Sequence, residues 1–107
     1  MNLEEIFPSK AHARVIDFLL ANSGKGFSQR YIARVTGLSP STVGIVVNHL
    51  HRLGIAHQHT LGNVKLIAVR QDTPLAKTLA TIHTQLKQIQ YQDVRDELPS
   101  GEEGSQA

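Results

Sequence analysis

Apolar positions recur at helical spacing through the first half of the chain, and the period then shortens to that of strands. Pro8 and Ser9 open a first helix in which Ala11, Val15, Ile16, Phe18, Leu19 and Leu20 make a broad apolar face, ended by Asn22-Ser23-Gly24. Gly26-Phe27 reads as a short extended link. Ser28 caps a second helix over about residues 29–36, with Ile32, Ala33 and Val35 expected inward. Ser39 and Pro40, an N-cap and a first-turn proline, start a third helix that ends at Leu53, with Gly54 as its stop. Along it Val43, Val46, Val47 and Leu50 fall on one stripe. Residues 55–61 and 64–69 then alternate as strands joined at Gly62-Asn63, a two-residue hairpin signal. Thr73 and Pro74 start a fourth helix. Beyond Asp93 the chain turns acidic, with Pro99, Gly101 and Gly104, and is expected to be disordered.

Residues 29–48 carry the most specific pattern. Small Ala33 suits a close helix crossing, and Gly37, four residues on, suits a turn that needs positive φ. Ser39-Pro40 then begins a new helix whose Val43 points back into the core. This combination predicts a helix-turn-helix. With a leading helix before it and a hairpin after it, the order is that of a winged helix. The expected fold class is mainly α with a small β-hairpin (α+β), a winged helix-turn-helix with a C-terminal dimerisation helix. Its parts are residues 1–71 as the DNA-binding domain, 72–92 as the helix and 93–107 as the tail.

Composition narrows the function. A chain of 107 residues holds one small domain and at most a tail. It has no cysteine, which excludes disulfides and thiolate metal sites. No apolar run is long enough to span a bilayer and no signal-peptide pattern opens the sequence, so a soluble, cytoplasmic, nucleoid-associated protein is expected. Net charge is +2, unevenly spread: residues 1–70 carry +5 and residues 71–107 carry −3. The positive part coincides with the helix-turn-helix, as phosphate binding requires. No nucleophile with a positioned base, phosphate-cradling glycine loop or carboxylate pair is evident, so neither an enzyme nor a cofactor is expected.

The stripe of the third helix opposite its valines carries Ser41, Thr42, Ile45, Asn48, His49 and Arg52. Such a helix enters the major groove with its N-terminal half nearest the bases. Ser41 and Thr42 are placed for bases or phosphates, Asn48 for adenine, and Ile45 for a thymine methyl. Gly44 is expected to let the backbone approach DNA closely. Before Arg52 the helix has no lysine or arginine, which predicts modest specificity biased toward A·T-containing sites. Arg30, Arg34, Arg52 and Lys65 are candidate phosphate contacts, with Ser28, Gln29, Ser39 and Asn63 completing the expected DNA-binding set.

In the fourth helix Leu75, Leu79, Ile82, Leu86 and Ile89 alternate four and three residues apart, the spacing of a coiled-coil seam. A homodimer through this seam is expected, aided by Leu3, Ile6 and Phe7. Two recognition helices related by a dyad would then read half-sites about 34 Å apart.

The segment Ile32-Ala33-Arg34-Val35-Thr36-Gly37-Leu38-Ser39-Pro40-Ser41-Thr42-Val43, with Leu50-His51-Arg52-Leu53-Gly54-Ile55 and the Gly62–Val69 strand, resembles winged helix-turn-helix regulators of the MarR and ArsR-like type. The Ile6-Phe7-Pro8-Ser9-Lys10 lead-in is also similar to winged helices that precede small nucleotidyltransferase domains. The resemblance runs from about Ile6 to Ile82. It implies the winged-helix fold and DNA binding. A basic residue often stands at the position of Ile45 in that family, and an arginine at that of Asn63. It also implies that Ile67 and Val69 turn inward, leaving His57 and His59 on the outer face of the wing. No carboxylate or cysteine completes a metal set with them. Three roles remain: a dimeric transcription regulator binding double-stranded DNA, a low-specificity architectural or plasmid-partition protein, and a protein-interaction module. The last would use Leu61, Val64 and Leu66 of the wing, or the acidic tail.

Overall fold

Each helix start is fixed by a short polar side chain. In the computed structural model, which describes residues 1–97, Ser9, Ser28 and Ser39 accept the backbone N–H of His12, Tyr31 and Thr42. These caps begin α2 (Lys10–Ala21), α3 (Gln29–Thr36) and α4 (Pro40–Arg52). Each satisfies an N–H that has no partner inside its helix. A further helix, α1 (Leu3–Ile6), precedes them; Asn2 and Glu5 close a reciprocal capping box on its first turn. One turn is too short to show a periodicity, so the sequence pattern passed over it.

Gly37 adopts φ +75°, and its N–H bonds back to the Ala33 carbonyl, turning the chain sharply between α3 and α4. Ile32 and Ala33 of α3, Val15, Ile16 and Leu19 of α2, and Val43, Val46, Val47 and Leu50 of α4 meet in one aliphatic core. Val35 does not join them: it is 44% exposed, on the outer side of α3.

Strands β1 (Ala56–Leu61) and β2 (Val64–Val69) form an antiparallel hairpin, with Gly62 at φ +63° in the turn. Ala56 faces Val69, Gln58 faces Ile67 and Thr60 faces Lys65 across it. Those pairs lie on the helix-facing side, since Ala56, Ile67 and Val69 are buried. His57 and His59 therefore share the outer face, their rings stacked with centroids 5.6 Å apart. Phe27 adds a third rung: its N–H and C=O bond to Ile67 at 2.9 and 2.7 Å, so the link after α2 is a sheet edge.

The last helix, α5 (Pro74–Glu97), begins where Thr73 accepts the Ala76 N–H and donates to the Gly54 carbonyl at 2.8 Å. Ile6 and Leu79 pack into the core, and Leu75 is half-buried against it. These three side chains thus hold α1 and the root of α5 to their own domain. Ile6 and Leu79 are thereby buried within one chain, where spacing alone had suggested a seam between two. The helix also runs past Gln92 to Glu97, so the residues expected to begin the tail are helical. Residues 98–107 of that expected tail lie outside the described residues. Among the described residues no helix is long and apolar enough to cross a membrane.

Candidate nucleic-acid interface

Burial of the valine stripe fixes the rotation of α4 about its axis. Val43, Val46, Val47 and Leu50 are each at most 2% exposed, which turns Ser41, Ile45, Asn48 and Arg52 into solvent as one row. Ile45 is 69% exposed. Arg30 of α3 and Asn63 and Lys65 of the hairpin are exposed as well.

Several of the expected contacts also have structural work inside the domain. Ser39 Oγ accepts the Thr42 N–H and donates to Thr42 Oγ1 at 2.8 Å, so both hydroxyls belong to the cap of α4. Ser28 Oγ likewise accepts the Tyr31 N–H. Gln29 donates from Nε2 to the Pro40 carbonyl at 2.6 Å, pinning α3 to the first turn of α4. Gly44 lies beneath that bridge: a Cβ there would stand 2.8 Å from Gln29 Nε2. The glycine makes room for a neighbouring side chain of the same domain. The Arg34 guanidinium sits 5.2 Å from the centre of the Tyr31 ring, and Tyr31 stacks on Phe27.

His49 departs furthest from expectation. Its ring turns inward and meets that of His12 edge-on, with centroids 5.0 Å apart, so it leaves the solvent-facing row. Its Nδ1 is buried without a hydrogen-bond partner, while His12 Nδ1 pairs with Ser9 Oγ at 2.9 Å. Burial, and secondarily the neighbouring His49, holds the His12 imidazole below the usual histidine pKa.

Charge near the wing is also partly committed. Arg70 makes a two-bond ion pair with Asp72, at 2.9 and 2.7 Å, which draws the Asp72 carboxyl down to about 2. Arg70 is therefore matched inside the chain. Lys65 faces no such partner among the described ion pairs. Among the described residues no group of three or more His, Cys, Asp or Glu side chains is arranged to hold a metal ion. A second contact invisible in the sequence joins α2 to α5, where His83 Nε2 lies 3.0 Å from Asp17 Oδ1.

A family model described as the MarR family matches residues 8–61, half of the chain, spanning α2 through β1. The chain belongs to the MarR family. That family is one of winged-helix transcription regulators and not of enzymes. Comparison with curated proteins finds no matching sequence. Solved structures reproduce the fold of this MarR-family chain. MepR, a transcription regulator of the Staphylococcus aureus multidrug efflux pump MepA, superposes with a TM-score of 0.68 at 20% identity, covering 94% of this chain and 73% of its own. The predicted DNA-binding transcriptional regulator from E. coli gives 0.63 at 19% identity, covering 81% and 84%. A homodimeric winged helix-turn-helix DNA-binding domain from Mycobacterium bovis, a possible ArsR-family regulator, gives 0.60 at 12% identity, covering 83% and 75%.

Proposed function

We propose that this MarR-family chain is a homodimeric, sequence-dependent DNA-binding regulator. It inserts α4 into the major groove and rests the hairpin on the backbone or minor groove. The observation that carries the reading is the exposed row of Ser41, Ile45, Asn48 and Arg52, set on a buried valine stripe and flanked by cationic Arg30 and Lys65. Asn48 is the residue in that row able to form a bidentate pair with adenine, and Ile45 offers a methyl contact to thymine. Arg52, Arg30 and Lys65 supply phosphate contacts.

An exposed apolar stripe on the distal part of α5 supports the dimeric part of this reading. Ile82, Leu86 and Ile89 are 43%, 58% and 55% exposed along one stripe, beyond the point where Leu79 enters the core. Phe7 joins Ile82 and Leu86 in walling a cleft of about 400 Å³, and Leu3, four residues before it, is exposed. A second copy packing its own α5 there would bury this stripe as a coiled-coil seam.

Selection of bound duplexes from a random library by the full chain tests the proposal, with an enriched palindrome as the expected result. The absence of lysine and arginine from α4 before Arg52 favours a second reading, low-specificity coating of DNA, for which binding without an enriched motif is the signature. No mobility shift at low salt would overturn both and turn attention to a protein partner at exposed Leu61 and Val64 of the hairpin.

A further inference from the structure

Between α3, α4 and the hairpin lies a cleft of about 270 Å³ whose rim gathers Gln29, Asn48, Gln58 and Lys65 around Gly44. Its back wall is Val47 and Ile67, each 2% exposed. The lining thus combines three carboxamides with one ammonium and contains no carboxylate. Gln58 is the unexpected member. It occupies the helix-facing side of β1 directly opposite buried Ile67, where strand alternation calls for an apolar residue. Its side chain is half-buried, and among the described residues no hydrogen bond engages its carboxamide. Lys65 sits on the same face, one cross-strand pair further toward the turn. Gln29 is already tied to Pro40, and the missing Cβ of Gly44 makes the room that its amide occupies.

We propose that this notch seats one backbone phosphate of the bound duplex, with Lys65 supplying the charge and Gln58 donating its carboxamide N–H. Asn48 at the rim stays free to turn toward the bases. Gln29 is a positioning residue that holds α3 and α4 at the width of the notch. The chemistry is that of a phosphodiester: one negative charge and acceptor oxygens, matched by a cation and neutral donors against an apolar wall that excludes water. The inference rests on the DNA-binding reading and adds to it a specific register, because a phosphate held between the recognition helix and the wing fixes how far α4 slides along the groove.

The test uses the full chain and a duplex recovered by it from a random library, synthesised with single phosphates replaced in turn by neutral methylphosphonates. Affinities are measured for wild type, Gln58→Leu and Lys65→Gln. At one phosphate per half-site the wild type is expected to lose about tenfold in affinity, while neither variant loses more at that position. At other contacted phosphates the losses should multiply. Lys65→Gln should also lower the log–log salt slope by about 0.9 and Gln58→Leu should leave it unchanged. Lys65 is exposed, so its variant carries the test even if Gln58→Leu disturbs the sheet. Multiplicative losses at every phosphate would overturn the notch while leaving DNA binding intact. Failure to recover any duplex would remove both.

Discussion

The imidazole of His12 meets that of His49 edge-on at 5.0 Å, joining the middle of the domain to the back of the recognition helix. Burial disfavours the charged form of His12, and a second imidazole adds to the penalty. The unfolded chain, with an ordinary histidine pKa near 6.5, therefore binds a proton that the folded chain resists. The contribution is present above about pH 6.5 and is lost as pH falls through that value toward the lowered folded pKa. Urea midpoints measured from pH 8 to pH 5 should fall on the acid side, and His12→Phe should flatten the decline. Equal pH dependence in the two proteins would count against this origin.

Leu79 and Leu86 are separated by two turns of α5 and differ in environment, 5% against 58% exposed. Leu79→Asp buries a carboxylate in the core and should cost about 3 kcal/mol or more, enough to unfold many small domains. Leu86→Asp together with Ile89→Asp should leave the circular dichroism spectrum intact and convert a dimer into a monomer by light scattering. An unchanged mass for that double variant would exclude the distal seam as the interface.

Gly44→Ala sets two effects against each other. Helix propensity favours alanine by about 1 kcal/mol, but the new methyl displaces Gln29 from Pro40. A net stability change near zero is expected. Adding Gln29→Ala removes the clash, so the double variant should be more stable than Gly44→Ala alone. Additive effects in a denaturation cycle would show that the two residues do not interact.

Asn48 and Arg52 share an exposed row but differ in the property each controls. Asn48→Ala should cost about 1–3 kcal/mol on a selected site and relax preference at one base pair. Arg52→Gln should weaken all sequences alike and reduce the salt slope by about 0.9. Competition binding with single-base variants of the site separates these outcomes.

The order of the three central helices and the hairpin was readable because the signals agree: caps at Ser9, Ser28 and Ser39, a turn glycine at Gly37, and a change of period after Ile55. What the sequence concealed depends on distance in space. A 3.6-residue period places His49 near the edge of the polar stripe, and only the position of His12 on another helix draws it inward. The seam from Leu75 to Ile89 has one spacing throughout, yet α5 leaves the hydrophobic core after Leu79, which no periodicity records. Gln58 lies within a strand whose pattern is plain, but its nearness to Asn48 and Lys65 depends on how the hairpin packs beside α4, which no local pattern records.

Thr73 bonds the Gly54 carbonyl, and Arg70 N–H bonds the Ile55 carbonyl at 2.7 Å. The root of α5 is thereby clamped to the tail end of α4 rather than hinged on a loose loop. In a dimer joined through α5, any change in the angle at which two such shafts cross would swing both recognition helices as rigid pointers, altering their separation without reshaping either domain.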